Sequence, residues 1–260
     1  MIAGRPGLWL TIWVLCGATG AAQDFSKLSV EKVSAGYRFT EGPAWSREGF
    51  LLFSDVPSDR IMKFAPGTKT AAYRESSGGA NGIAFDSQGR LYACEGKSRR
   101  VTRTDKRGRV EVLAEAWEGK RLNAPNDIVV RKDGHVYFTD PAFGSQADTR
   151  ELDFYGVFHI TNKGQLRLVA RMTGRPNGIA LSPNGRILYV VNSDERNVRA
   201  YDLDHSGEAS GERVVLSRID GVPDGIKTDE KGNLYVAARE VMVYSPEGKL
   251  LTNIPVAEPP

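Results

Sequence analysis

The chain has 260 residues, 40% hydrophobic and 26% charged, which supplies a real core and excludes a disordered tail or a small disulfide knot. Thirty-five Lys and Arg stand against 32 Asp and Glu, and a net charge of +3 excludes a polybasic nucleic-acid or membrane-surface binder. No stretch reaches the roughly 18 consecutive apolar residues that a spanning helix needs, so no membrane span is expected.

In chain order, residues 1–22 read as an export signal. Arg5 gives a positive start, LWLTIWVLC (Leu8 to Cys16) an apolar run too short for an anchor, and small residues from Gly17 to Ala22 a cleavage site before Gln23. The mature chain, 23–260, then holds Cys94 as its one thiol, so no internal disulfide is expected, and its position inside LYAC predicts an inert buried side chain.

Five similar segments follow. They are EGPAWSREGFLLFSD from Glu41, NGIAFDSQGRLYACE from Asn81, NDIVVRKDGHVYFTD from Asn126, NGIALSPNGRILYVVN from Asn177 and DGIKTDEKGNLYVAA from Asp224. A spacing of about 40 to 50 residues suits one four-stranded sheet per repeat. Each has an apolar run, a polar turn ending in Gly49, Gly89, Gly134, Gly185 or Gly232, and a second apolar run, the pattern of a β-hairpin. IMKF, RVTR, GVFHI, VRAYDL and VMVYS supply third strands. Helical periodicity is nowhere sustained, and repeated sheets without helices predict an all-β fold, a β-propeller with blades around a channel.

The residue opening each innermost strand carries a side-chain oxygen: Glu41, Asn81, Asn126, Asn177 and Asp224. Innermost strands of a propeller run in one direction, so these five oxygens are expected to converge at one mouth of the channel. Asx turns into each strand explain a preference for Asn and Asp. They do not explain Glu41, nor two carboxylates among three amides, a mixture that suits a hard divalent cation. Calcium is expected ahead of zinc, since the set has no His or Cys; manganese and magnesium stay open.

Elsewhere, His135 in the turn KDGH and His205 in DLDHSGE are expected to be solvated, and His159 in GVFHI packed or at an edge. SSGGANG (Ser76 to Gly82) lacks the Lys and helix of a phosphate loop and reads as a blade connection. The basic patch Arg99, Arg100, Arg103, Lys106 and Arg107 reads as a solvated face. No Ser-His-Asp arrangement or nucleophile elbow can be argued.

FTEGPAW (Phe39 to Trp45), RLNAPNDIVVRKDGHVYFTDPAFG (Arg121 to Gly144), RPNGIALSPNGRILYVVNS (Arg175 to Ser193) and VPDGI (Val222 to Ile226) together resemble the SMP-30/gluconolactonase/LRE family. The resemblance implies a six-bladed propeller with a divalent cation, usually calcium, in its channel, and hydrolysis of a sugar lactone such as glucono-1,5-lactone. It implies Glu41, Asn177 and Asp224 as metal ligands, Asp224 also as proton donor and acceptor, and Asn126 as a contact to substrate or metal-held water. The cation would act as a Lewis acid on the lactone carbonyl while water attacks. Asn81, Asn126 and Asp127 would bind substrate hydroxyls; Asp127 and Asp140 could instead support the ligands from behind or hold a deeper ion.

The sequence ends at Pro260, short of the sixth repeat, so five visible blades with the last incomplete are expected, helped by an N-terminal strand near Leu28 to Phe39. Phe143 stands where many relatives carry Tyr. Rival functions are a non-catalytic propeller that binds a protein or carbohydrate around a structural cation, and an esterase acting on organophosphates or other esters in the same pocket.

Overall fold

The computed structural model describes residues 24–25, 28 and 30–256, so the export signal lies outside the described residues. Five antiparallel four-stranded sheets follow one another in chain order. Blade I is β1 (Thr40–Ser46), β2 (Phe50–Asp55), β3 (Arg60–Phe64) and β4 (Ala71–Glu75); blade II is β5 (Ala80–Phe85), β6 (Leu91–Glu95), β7 (Arg100–Thr104) and β8 (Val110–Ala114). A short hairpin, β9 (Ala116–Trp117) with β10 (Lys120–Arg121), leads into blade III: β11 (Ile128–Val130), β12 (Val136–Asp140), β13 (Tyr155–Ile160) and β14 (Leu166–Met172). Blade IV is β15 (Pro176–Leu181), β16 (Ile187–Asn192), β17 (Asn197–Leu203) and β18 (Ala209–Leu216), and blade V is β19 (Ile226–Thr228), β20 (Leu234–Ala237), β21 (Val241–Tyr244) and β22 (Leu250–Ile254). The chain is a β-propeller, as the repeats predict. Among the described residues only two short 3-10 turns, Val56–Ser58 and Gly144–Thr149, are helical.

The first hairpin of every blade turns on the expected glycine. Gly49, Gly89, Gly134, Gly185 and Gly232 have φ between 67° and 93°, a region that a Cβ disfavours.

The core lies between blades rather than within them. Leu52, Ile61, Ile83 and Leu91 fill the seam of blades I and II; Cys94, Ile128, Phe138 and Phe158 that of II and III. Val157, Ile179, Leu188 and Val190 fill the next seam, and Val191, Val198, Ile226 and Val236 the last. Each such aliphatic side chain stabilises the fold by about 1.5–3 kcal/mol. The inner strands therefore pack successively, β1 on β5, β5 on β11, β11 on β15 and β15 on β19; among the described residues β19 makes no comparable contact with β1.

Two expectations are corrected here. The described residues from Leu28 to Phe39 form no strand. Tyr37 instead packs edge-on against Phe53, with ring centroids 4.9 Å apart, and Ser34 Oγ lies 3.0 Å from Thr70 Oγ1. His135 is not solvated. It is 4% exposed and its Nδ1 lies 2.7 Å from Nε2 of His159, itself 1% exposed. The turn between β17 and β18 of blade IV folds over the pair, and Gly207 permits it, since a Cβ there would lie 2.5 Å from His135 Nδ1. Burial pushes the His159 pKa down to about 4, helped by His135, so the pair is neutral at pH 7.

Several local expectations agree with the structure. Cys94 is free and buried, its thiol pushed well up by burial. The segment 76–79 joins β4 to β5 and is held by Asp59, whose Oδ1 accepts from Gly79 N at 2.7 Å. His205 is exposed. The basic patch is partly neutralised: Arg100 pairs with buried Glu95 at 2.6 Å and Arg103 with Glu111 at 2.6 Å, while Arg99 Nε donates to Leu122 O at 2.6 Å.

Candidate functional site

One irregularity, repeated five times, builds the channel mouth. The ladders between first and second strands break at Glu41/Ala44, Ala80/Ile83 and Pro176/Ile179. In blade III, Asn126 N donates to Thr139 O at 2.8 Å while Thr139 N donates to Asp127 O at 3.0 Å, so two residues oppose one. Asp224 and Gly225 oppose Ala237 in the same way. A β-bulge re-aims a side chain, and here every bulge coincides with one of the five oxygen-bearing residues.

Neighbouring blades lock these bulges together. Gly82 N donates to Asn126 O at 2.6 Å and Gly178 N to Asp224 O at 2.9 Å, each linking a channel residue to the blade before it. Hydroxyls on or just after the second strands add a second tie: Ser54 Oγ donates to Asn81 O, Thr139 Oγ1 to Asn177 O and Ser193 Oγ to Pro223 O, each at 2.7 Å. The mouth is thus held by backbone contacts that do not depend on the channel side chains.

The electrostatics show which side chains share this space. The Asp224 carboxylate takes a hydrogen bond from the Asn177 side chain, yet its pKa is raised, chiefly by burial and then by Asp127. Glu41 is raised from 4.5 to about 8, first by burial and then by the charges of Asp224 and Asp127, with the Gly42 N–H and Lys227 pulling weakly the other way. Glu41 thus feels the charges of Asp224 and Asp127, and Asp224 is hydrogen-bonded by the Asn177 side chain. Asn126 and Asn177 are buried, and Asn81 is half-buried.

Among the described residues no three His, Cys, Asp or Glu side chains form a metal-holding group. The Glu41, Asn177 and Asp224 set has two carboxylates and one amide, all oxygen donors. Its half-buried carboxylates repel one another, which a hard divalent cation would relieve, so the residues fit such an ion.

Asp127 plays a double part. Its Oδ1 accepts from Ile128 N at 2.9 Å and its Oδ2 from Ile179 N of blade IV at 3.0 Å, so it fastens two blades. Asp140 follows Thr139, which opposes the Asn126–Asp127 bulge; its Oδ2 accepts from Asn123 N at 2.7 Å, and burial raises its pKa to about 7. Phe143 lies under the Arg175 guanidinium, 4.6 Å from its ring centre. Reading the sequence did not single out Lys227, whose Nζ lies 3.6 Å from Asp127 Oδ2. The signal is present in the repeats, where the same position holds Ala44, Ala84, Val129 and Ala180.

A family model described as the SMP-30/gluconolactonase/LRE-like region matches residues 39–259. The chain belongs to this family. Within it, the gluconolactonase of Zymomonas mobilis is 32% identical over 252 residues, covering 85% of this chain and 71% of that protein. A solved structure of a gluconolactonase from Xanthomonas campestris superposes with a TM-score of 0.79 at 32% identity, covering 85% of this chain and 77% of that one. The calcium-binding protein regucalcin of Agrobacterium tumefaciens shares the fold at 18% identity, with a TM-score of 0.69 and coverage of 84% and 74%. Lactone hydrolysis is thus an activity named within the family.

The raised Glu41 pKa gives the first prediction, for cation-free protein. The folded chain keeps a proton on Glu41 that the unfolded chain releases near 4.5. Stability therefore falls progressively as pH rises from 4.5 to about 8, and the loss is complete above that. Denaturant unfolding at about pH 5 and about pH 9 is expected to show the difference, Glu41→Gln to remove most of it, and calcium at the higher pH to reverse it. An unchanged slope in Glu41→Gln would refute the assignment.

Proposed function

We propose that this protein opens a sugar lactone such as glucono-1,5-lactone by water attack, with Glu41, Asn177 and Asp224 holding a divalent cation, calcium by preference. The observation that supports the proposal is the electrostatic coupling of half-buried Glu41 to half-buried Asp224, which takes a hydrogen bond from the Asn177 side chain.

When bound, the cation supplies Lewis-acid polarisation of the lactone carbonyl. The protein's own groups do the rest. Asp224 accepts a proton from the attacking water and returns it to the ring oxygen as the ester bond breaks; its raised pKa brings it toward the working pH, which favours both transfers. Asn126 and Asn81 offer amides to the sugar hydroxyls, and Asp127 accepts from a hydroxyl while its fixed backbone contacts hold it in place. No covalent intermediate is needed, because a lactone is an activated ester.

The test is acid release from glucono-1,5-lactone, above the spontaneous rate, in excess chelator and again after calcium is restored. Chelation is expected to remove turnover and calcium to return it. Turnover that survives complete chelation excludes the reading.

A further inference from the structure

We propose that Lys227 is a built-in counter-ion of the channel site, whose ammonium group offsets the carboxylates there and so weakens divalent-cation binding. The proposal rests on the reading of Glu41, Asn177 and Asp224 as the cation site, and it concerns a residue outside that set.

The first argument is positional. Three residues after each channel oxygen, the inner strand carries Ala44, Ala84, Val129 or Ala180 in blades I to IV. Each is small and apolar and packs in the seam toward the following blade. Blade V alone puts a charge at this register, Lys227 in β19. No blade follows blade V among the described residues, and Lys227 is exposed at this register.

The second argument is the partner's location. Lys227 Nζ lies 3.6 Å from Oδ2 of Asp127 in blade III. Blade IV stands between those two in the ring, so this ion pair spans the channel rather than a seam. Asp127 is itself exceptional, because the other four repeats have Gly42, Gly82, Gly178 and Gly225 directly after the channel residue. The one carboxylate at the glycine register thus meets the one ammonium at the alanine register. Ile128 N and Ile179 N fix the Asp127 carboxylate, whereas the Lys227 side chain is 49% exposed and can retreat toward solvent.

The third argument is the field. Lys227 acts on Glu41 as well as on Asp127, so its charge reaches the proposed cation ligands. A divalent ion entering beside Glu41 and Asp224 is repelled by that ammonium twice as strongly as a monovalent ion would be. The result is a weaker site, with Lys227 raising the cation concentration that half-loads it.

Calorimetric titration of the full chain with calcium chloride tests this, using wild type, Lys227→Met, Lys227→Gln, Lys227→Arg and Glu41→Gln. Both neutral variants are expected to bind calcium about tenfold more tightly than wild type, the gain shrinking as potassium chloride is raised, and Lys227→Arg to match wild type. Two neutral variants of different shape guard against loss of folding in one of them. If they bind calcium no more tightly than the wild type, the counter-ion role is wrong while the cation site stands. If wild type shows no binding that Glu41→Gln removes, the cation site itself fails and the proposal goes with it.

Discussion

Asp224→Asn is expected to lower kcat/KM for lactone hydrolysis by about a thousandfold, within the range typical for loss of a positioned acid-base group, while leaving the fold intact. Asparagine has nearly the same shape. Its backbone keeps the bonds from Asp224 N to Ala237 O at 2.8 Å and from Gly178 N to Asp224 O at 2.9 Å, and its side-chain oxygen still accepts from Asn177. What disappears is a negative charge and a proton acceptor. The charge is unfavourable in cation-free protein, where Asp224 raises the Glu41 pKa and is itself raised by burial and Asp127. The variant should therefore unfold at equal or higher denaturant concentration than wild type without calcium, even as its activity collapses. Opposite signs in stability and activity mark a residue placed for chemistry rather than for folding. Initial rates with glucono-1,5-lactone, paired with urea unfolding in chelator, read both. Activity within tenfold of wild type would remove Asp224 from the mechanism, and a large stability loss would make it a structural residue.

The propeller is legible in the sequence because its period is carried by local signals: a glycine at positive φ in each first hairpin and an oxygen-bearing residue at the start of each inner strand. Those signals depend on backbone geometry within about fifteen residues, which composition and spacing can report. The bulges are less visible, since a ladder irregularity is defined by the partner strand; only the Asn-Gly and Asp-Gly pairs hint at them. The repeats mark Lys227 as the one charge at its register, but its partner and the surroundings of His135 were not legible, for one physical reason. His135 is buried by a turn of the following blade, and Lys227 reaches a carboxylate two blades away. Contacts of that kind follow from how blades are arranged, and nothing in the local sequence encodes them. The strand that the family resemblance implies near Leu28 to Phe39 shows the converse: Leu28, Val30 and Val33 are more than half exposed, and the described residues there pair with no strand.

Two glycines 47 residues apart in the repeat pattern, Gly178 and Gly225, are expected to differ sharply in their response to alanine. Neither has a positive φ, so backbone preference does not separate them. Surroundings do. A Cβ on Gly178 would lie 2.5 Å from Asp224 O, 2.6 Å from Ile226 N and 2.8 Å from the Gly225 carbonyl carbon. All three are backbone atoms of blade V, and no rotamer change can relieve the clash. The blade must move away, breaking the bond from Gly178 N to Asp224 O and loosening the seam that Val191, Ile226 and Val236 fill. Overpacking of this kind costs about 3 kcal/mol, at the upper end of the usual range because backbone is the obstacle. In a domain this size that is a fall of about 6–12 °C in the thermal midpoint. The same displacement carries Asp224 away from Asn177, so calcium affinity should drop together with stability. A Cβ on Gly225 meets only the Ala237 methyl, at 4.0 Å, and Gly225→Ala should change stability by less than about 1 kcal/mol. Thermal melts and calcium titrations of both variants distinguish a site held by blade-to-blade backbone contact from one held by its side chains alone. In the second case Gly178→Ala would destabilise the protein yet leave the affinity of the folded fraction unchanged.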